Sequence, residues 1–213
     1  MKVVVGMATY GERTESVQLA MDSLRNQTVN VDVFYLYDNE KCETDYTDNG
    51  KFFGLSQIKE PVYYLSCDDD IIYPKDYVET CIEAIEEHKC IISFHGRILR
   101  GAGLDYYTKH TALSCLQSFV QTKEIDVCGT GVTAFRTDMF NGKDLYKAKD
   151  KCMSDLVFSL EATKQDVKIM HIGHYHGWLQ AITQPIGQSI YDRHKGNCTR
   201  QNELADKIWL LKN

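Results

Sequence analysis

Residues 62–70 read VYYLSCDDD, a short apolar run that ends in three adjacent aspartates. The run is typical of a buried β-strand, and its acidic end marks the point where that strand leaves the sheet. Similar apolar runs occur at residues 3–8, 31–37 and 90–94, while residues 17–24 and 78–85 carry apolar side chains at helical spacing. This alternation predicts an α/β fold with a mostly parallel, Rossmann-type central sheet flanked by helices.

The second half of the chain is less regular. Residues 97–124 show no clean period, and residues 127–135 (VCGTGVTAF) predict one strand made flexible by two glycines. The pattern is completed by a helix over residues 153–163, a last strand over residues 167–172 and a C-terminal helix with Leu204, Ile208 and Leu211 on one face. With 213 residues and no Pro-rich linker, we expect one domain over residues 1–213.

The composition argues against some classes of function. A formal net charge of −6 disfavours a nucleic-acid-binding surface, which needs a basic stripe, although a nucleic acid stays open as an acceptor. No apolar run approaches the ~20 residues of a transmembrane helix, and the apolar start stops at Thr9, so we expect neither a membrane span nor a signal peptide. The eight cysteines form no C-x-x-C pair, as expected of reduced thiols in a cytoplasmic protein.

The acidic triplet is the strongest candidate for a functional site. Ligands of open α/β sheets bind beyond the carboxyl ends of the strands, and two other strand ends, at residues 9–13 and 38–39, are also polar. Adjacent carboxylates raise one another's pKa unless a cation offsets their charge. Mg²⁺ and Mn²⁺ prefer oxygen ligands and often combine one or two carboxylates with substrate phosphates. The alternative is a solvated acidic loop before the helix that begins near Asp76, where the helix dipole favours acids.

Further short motifs occur in order along the chain. The first strand runs into residues 8–13 (ATYGER), the next helix ends in residues 24–28 (LRNQT), and the second strand ends in residues 37–39 (YDN). The triplet continues as DDDIIYP at residues 68–74, and a glycine-containing run ends in Phe-Arg at residues 129–136 (GTGVTAFR). No single motif is specific, but their order narrows the class of protein.

A last motif, Ser154-Asp155-Leu156, opens a helix ahead of the last strand. Together these motifs resemble the family 2 glycosyltransferases, which have the GT-A fold and a D-x-D motif, over nearly the whole chain from residue 3 to about residue 178. The resemblance implies a metal-dependent, inverting transfer of sugar from a nucleotide-sugar donor, with a UDP-sugar favoured, to a glycan or another hydroxyl acceptor. It also implies a nucleotide-binding half at residues 1–96, an acceptor and catalytic half at residues 97–180 and a C-terminal loop and helix at residues 181–213.

The resemblance assigns the nucleotide- and metal-binding roles. The nucleoside pocket would be lined by Ala8, Tyr10, Glu12 and Asp38. Asp69 and Asp70 would bind Mn²⁺ or Mg²⁺, and Asp68 would contact the ribose or the ion. The sequence does not decide which of the three binds the ion directly.

The resemblance also assigns the chemistry. Asp155 would be the catalytic base, although an acid at a helix N-terminus is also an ordinary structural feature, and the family often has two adjacent acids where this chain has Ser154-Asp155. In related GT-A enzymes a histidine after the last strand joins the metal or diphosphate, which implies this role for His174 or His176; a zinc site is the alternative. Arg193, in the basic segment 188–195, would belong to a loop that closes over the diphosphate.

Two other function classes remain open. A sugar nucleotidyltransferase builds a similar sheet with paired aspartates, but it usually carries a Gly-rich phosphate loop, whereas residues 8–13 contain one glycine. A non-catalytic nucleotide- or sugar-binding protein of the same fold is the second class. Arg97 and Arg100, in the irregular middle, would either lie on a solvated surface or meet an acidic acceptor.

Overall fold

Strands and helices alternate along the first half of the chain as expected. The computed structural model describes residues 1–183 and 198–213. The strands are β1 (Lys2–Thr9), β2 (Val33–Asp38), β3 (Val62–Cys67), β4 (Ile71–Ile72), β5 (Ile91–Ser93), β6 (Gly96–Leu99), β7 (His110–Leu113), β8 (Lys123–Glu124), β9 (Val127–Cys128), β10 (Val132–Arg136), β11 (Ile169–His171) and β12 (Gln180–Ala181). The α-helices are α1 (Thr14–Arg25), α2 (Tyr77–His88), α3 (Ser154–Lys164) and α4 (Thr199–Lys212), with short 3₁₀ helices at Gly11–Arg13, Thr47–Gln57 and Leu145–Lys147.

The central sheet has the strand order β2-β1-β3-β10-β5-β11-β8 in the described part of the chain. β1 pairs in parallel with β2 and β3, and β11 pairs in parallel with β5. β10 runs antiparallel between β3 and β5, and β8 runs antiparallel along β11. The predicted α/β single domain with a flanked central sheet is confirmed. In the described part of the chain five of the seven strands run in the same direction, and the sheet is mixed because β10 and β8 run antiparallel to them.

The position of β10 explains why the sequence did not reveal this arrangement. Ala134 packs in the core on one face of the sheet and Phe135 in the core on the other, so β10 has the apolar character of any central strand. Such a pattern identifies a buried strand but carries neither its direction nor its neighbours. The predicted single strand over residues 127–135 is also divided, since β9 and β10 belong to different sheets on either side of Gly129–Gly131.

Two hydrophobic layers cover the central sheet. Because side chains alternate along a strand, Val3 and Val5 of β1 face the layer that contains α1 and α2, whereas Val4 faces the opposite layer. This opposite layer includes Phe52 and α3. The carboxyl end of β1 therefore emerges between two packed layers, which fixes the position of the polar residues that follow it.

The polar, Gly-containing segment between β2 and β3 contains a buried element. The 3₁₀ helix Thr47–Gln57 is largely buried under the sheet. Its glycines make this possible, since a Cβ at Gly50 would come 2.8 Å from the ring of Tyr37, and one at Gly54 would come 2.5 Å from the ring of Tyr35. Glycine here provides close packing against aromatic rings rather than flexibility.

The irregular middle forms a small antiparallel sheet of β7, β6 and β9. Beside it, α4 packs on α3 through Leu204 and Ile208, which join Leu156 in a third hydrophobic cluster. Leu211 is 58% exposed, so the predicted apolar face of α4 ends at Ile208. Within the described ranges, no helix combines the length and the apolar character needed to cross a bilayer.

Candidate active site

The carboxyl ends of β1 and β3 open into a cavity of about 320 Å³. The predicted site residues that line it are Ala8, Tyr10, Glu12, Asp68, Asp69, Asp70 and Asp155. The other walls come from the 3₁₀ helix Thr47–Gln57, from β6 and from the first turns of α3 and α4. The topology thus brings the acidic triplet and the predicted base to one cavity, although they are far apart in sequence.

Asp69 is the most firmly held member of the triplet. Its carboxylate accepts a hydrogen bond of 2.5 Å from the hydroxyl of Thr9 and one of 2.9 Å from the guanidinium of Arg13. Burial raises the pKa of Asp69, against the lowering effect of Thr9 and Arg13. Asp69 therefore joins the end of β3 to the turn that follows β1.

Asp68 pairs with Lys51, whose ammonium is buried and donates to the Asp68 carboxylate. Although burial lowers the pKa of Lys51, the charges of Asp68, Asp48 and Asp155 outweigh it and raise the pKa overall. Gly131 makes room for this pair, because a Cβ there would lie 2.0 Å from Asp68 Oδ2. Lys51 is therefore a permanent cation inside the acidic cavity.

Asp70 is the carboxylate without a fixed partner. Among the described residues, none donates a hydrogen bond to its side chain, whereas its backbone carbonyl accepts one of 2.7 Å from the amide of Ile182. Burial, followed by the charges of Asp68 and Asp69, raises the pKa of Asp70 to about 6. A cation beside Asp70 would remove the electrostatic cost of ionising it.

The donor set fits Mg²⁺ or Mn²⁺ bound jointly by the protein and a substrate phosphate. In the described part of the chain, no group of three or more His, Cys, Asp or Glu side chains forms a complete metal cage. Mg²⁺ does not need one, since it is usually held by one or two carboxylates and by phosphate oxygens. The described lining also carries six acidic side chains against three basic ones. Such a cavity repels a diphosphate unless a cation accompanies it.

Asp155 stands in the first turn of α3 with its two oxygens in different environments. Its Oδ1 accepts hydrogen bonds of 2.8 Å from both the backbone amide and the hydroxyl of Thr130. Its Oδ2 lies 3.8 Å from the guanidinium of Arg97. One oxygen is thus fixed by the loop between β9 and β10, while the other remains able to accept a proton.

The residues predicted for the nucleoside pocket divide into two groups. Tyr10 lines the cavity and donates a hydrogen bond of 3.3 Å to Asp45, and burial, with the Asp45 charge, raises its pKa to about 12. Asp38 does not line the cavity and forms an ion pair of 2.8 Å with Lys41, whose hydrogen bond lowers its pKa. Its neighbour Asn39 lines the cavity instead and bridges the backbone of β1 and the 3₁₀ helix Thr47–Gln57.

The predicted histidine ligands lie outside the cavity. His174 is 3.2 Å from the backbone carbonyl of Phe94 and stacks on Trp178, while His176 is exposed. His171, the first histidine of the cluster, is buried, and burial lowers its pKa to about 4. Trp178 belongs to the core and donates a hydrogen bond of 2.9 Å to Asp76. Arg193 and its basic segment lie outside the described residues.

Sequence reasoning missed several side chains of the cavity, among them Lys51, Thr130, Gln201 and Arg97. Lys51 and Gln201 each lie in a stretch that carried no functional signal. Thr130 lies in the motif of residues 129–136 but was given no role, and Arg97 was expected on a solvated surface or against an acidic acceptor. Arg97 is only 17% exposed at its side chain. The glycines on either side of Thr130 were a usable signal, since they mark a tight approach of backbone to the end of β3.

Comparisons with known proteins identify the fold. TarS 1-349 of S. aureus in complex with UDP-GlcNAc is similar to this chain with a TM-score of 0.55 and 15% identity, over 89% of this chain and 60% of TarS 1-349. The complex of TarS 1-349 with UDP is similar with a TM-score of 0.54 and 16% identity, over 87% of this chain and 61% of TarS 1-349. A longer TarS chain is similar with a TM-score of 0.53 and 16% identity, over 87% of this chain and 37% of that chain. This chain therefore spans less than two thirds of each TarS chain. No family model matches the sequence, and neither does any curated protein.

At these identities the similarity defines the fold alone. The chain has a GT-A-like fold: one α/β domain with a mixed central sheet and flanking helices.

Proposed function

We propose that this protein is a metal-dependent, inverting glycosyltransferase that moves a sugar from a nucleotide-sugar donor to a hydroxyl of a glycan or another acceptor. The observation that carries the proposal is that Asp155 opens onto the same cavity as the acidic triplet. Sugar transfer from a diphosphate needs both a base for the acceptor and charge stabilisation for the leaving group. The fold shared with TarS, which has been solved with UDP and with UDP-GlcNAc, supports a UDP-sugar as the donor.

The donor would lie along the end of β1, with its nucleoside beside Ala8, Tyr10 and Glu12. Its diphosphate would then face the acidic triplet. Asp70, with Asp68 or Asp69, would hold Mn²⁺ or Mg²⁺, which when bound supplies positive charge to the leaving diphosphate.

In the transfer step the acceptor hydroxyl attacks the anomeric carbon from the side opposite the diphosphate. The acceptor oxygen forms a bond to that carbon while its proton passes to Asp155 Oδ2. The bond between the anomeric carbon and the phosphate oxygen breaks, and its electron pair leaves with the nucleoside diphosphate. Thr130 holds Asp155 in position throughout because it binds only Oδ1. Attack from the opposite face inverts the configuration of the sugar.

The substitution Asp155→Asn tests the proposal, because it keeps the shape of the side chain and removes its basicity. The assay uses the donor that wild type consumes fastest in a screen of UDP- and GDP-sugars with Mn²⁺. With this donor we expect the turnover of Asp155→Asn to be about 10²–10⁴-fold lower than that of wild type. UDP affinity should change by less than about twofold. Asp144→Asn is the matched control, since Asp144 is exposed and its one salt-bridge partner in residues 1–183 and 198–213 is Lys147.

Other outcomes of the same screen would favour other classes. UDP binding without turnover of any donor would favour a non-catalytic binding protein. Pyrophosphate release from a nucleoside triphosphate and a sugar phosphate would favour a nucleotidyltransferase. An Asp155→Asn variant as active as wild type would remove Asp155 from the mechanism.

A further inference from the structure

The cavity continues beyond Asp155 into a region that the donor groups do not use. Arg97 of β6, Tyr106 and Tyr107 of the loop before β7, and Gln201 of α4 line this part. None of these residues belongs to the acidic triplet or to the turn after β1. The region adjoins Asp155 through Arg97, whose guanidinium lies 3.8 Å from Oδ2.

Gln201 is a buried polar side chain whose carbonyl oxygen has no partner among the described residues. The residue is 3% exposed, and its Oε1 is buried and accepts no hydrogen bond from any of them. Such groups are rare in folded proteins, because an unpaired buried amide loses its hydrogen bonds to water without replacement. Since Gln201 also lines the cavity, a ligand is a direct source for the missing hydrogen bond.

Arg97 also has a polar atom that is not paired within the described part of the chain. It donates a hydrogen bond of 2.7 Å to the Tyr106 hydroxyl, and its guanidinium lies 4.8 Å from the centre of the Tyr106 ring. Its Nε is buried, and no partner for it exists in the described part of the chain. The guanidinium is thus oriented by Tyr106 and Asp155 and keeps one donor unpaired.

The elements that carry these groups are held together by hydrogen bonds of their own. Asn202 of α4 accepts one of 2.8 Å from the backbone amide of Tyr106, and Asp206 accepts one of 2.7 Å from the amide of Gly103. Leu204 and Ile208 anchor α4 in the third hydrophobic cluster. The region is therefore a rigid, preorganised wall rather than a loose loop.

We infer that Arg97, Tyr106 and Gln201 form the acceptor subsite and that they bind a neutral polyhydroxyl compound rather than a phosphorylated one; this rests on the proposed glycosyl transfer. A hydroxyl group both donates and accepts, so a pair of ligand hydroxyls satisfies Gln201 Oε1 and Arg97 Nε together. A phosphate would need a free positive charge, and Arg97 already lies beside Asp155 in a cavity with an excess of acids. The tyrosines add an apolar surface for a sugar ring.

Saturation-transfer NMR with defined probes tests this inference on the whole chain. The probes are methyl glycosides of common hexoses and glycerol, each compared with the matching sugar phosphate or glycerol phosphate, with saturating UDP and Mn²⁺. We expect at least one neutral probe to bind wild type at least tenfold more tightly than its phosphorylated partner. The substitution Gln201→Met keeps the length of the side chain but removes one hydrogen-bonding partner. It should therefore lower the affinity for that probe by about tenfold or more.

Lys207→Ala is the matched control, since Lys207 is exposed on the same helix, and it should bind the probe as wild type does. The inference is overturned if no neutral probe binds, if phosphorylated probes bind equally well, or if Gln201→Met has no effect. Each of these results leaves the glycosyltransferase proposal standing where UDP and Mn²⁺ bind normally. Loss of UDP binding by wild type would instead contradict the proposed function itself.

Discussion

Thr130 donates its backbone amide and its hydroxyl to the same oxygen of Asp155, each over 2.8 Å. The hydroxyl also lies 2.8 Å from that of Ser154. This arrangement occupies Oδ1 and leaves Oδ2, on the side of Arg97, as the oxygen that can receive a proton. For the proposed base, positioning of this kind would supply a large part of the catalytic effect.

Thr130→Val removes the hydroxyl but keeps the shape and the backbone amide. Losing one hydrogen bond to a charged group costs about 1.5–3 kcal/mol, so we expect kcat to fall by roughly 10- to 100-fold. UDP affinity should stay within about twofold of wild type. Thr163→Val is the control, because the Thr163 hydroxyl bonds to the Ser159 carbonyl within α3. Equal kcat values for wild type and Thr130→Val would remove Thr130 from the account.

Lys51→Met tests the buried ion pair with Asp68. The substitution leaves Asp68 beside other acids without its cation, so we expect the free energy of unfolding to fall by about 1–3 kcal/mol. This loss is smaller than for a fully buried pair, because Asp68 is partly exposed. Urea denaturation measures the change. The double variant Lys51→Met with Asp68→Asn should recover part of the loss, since residue 68 then no longer carries a charge that lacks its cation. Equal stability of the single and double variants would contradict this pairing.

The raised pKa of Asp70 predicts a pH dependence of stability. The value is about 6 in the folded chain against 3.8 for the unperturbed group, so the folded state holds this proton more tightly. The resulting stabilisation is present below pH 4 and is lost as the pH rises from 4 to 6, up to about 3 kcal/mol in total. Urea denaturation without divalent ions should show this loss in wild type, and Asp70→Asn should lack it. A wild-type slope identical to that of Asp70→Asn would contradict the assignment.

Of the predicted site residues that line the cavity, those of the acidic triplet had the clearest signal in the sequence itself. The acidic triplet was found because three carboxylates in a row have an evident electrostatic cost, and its position at the end of β3 followed from the apolar run before it. Asp155 was assigned by resemblance alone; it lines the cavity, and its role stays a prediction. Lys51 and Gln201 carry no such local signal, because their positions at the cavity arise only when distant segments meet. For Thr130 the flanking glycines indicated a close approach of the backbone but no contact with Asp155.

The fold shows the same limit. Hydrophobic periodicity identified most strands and helices, but it did not reveal that β10 runs antiparallel between β3 and β5. Strand direction depends on connections between elements rather than on the pattern within one element. The burial of Phe52 was missed because Gly50 and Gly54, which flank it, are typical of loops, whereas here they allow close packing.

Isothermal titration of UDP with and without Mn²⁺ tests the central claim most directly, which is that the acidic triplet binds a cation that in turn binds the diphosphate. We expect Mn²⁺ to strengthen UDP binding to wild type by at least tenfold and a chelator to reverse this. Asp70→Asn should abolish the enhancement, while Asp144→Asn should keep it. UDP binding that is equally strong with and without Mn²⁺, or an undiminished enhancement in Asp70→Asn, would contradict the account.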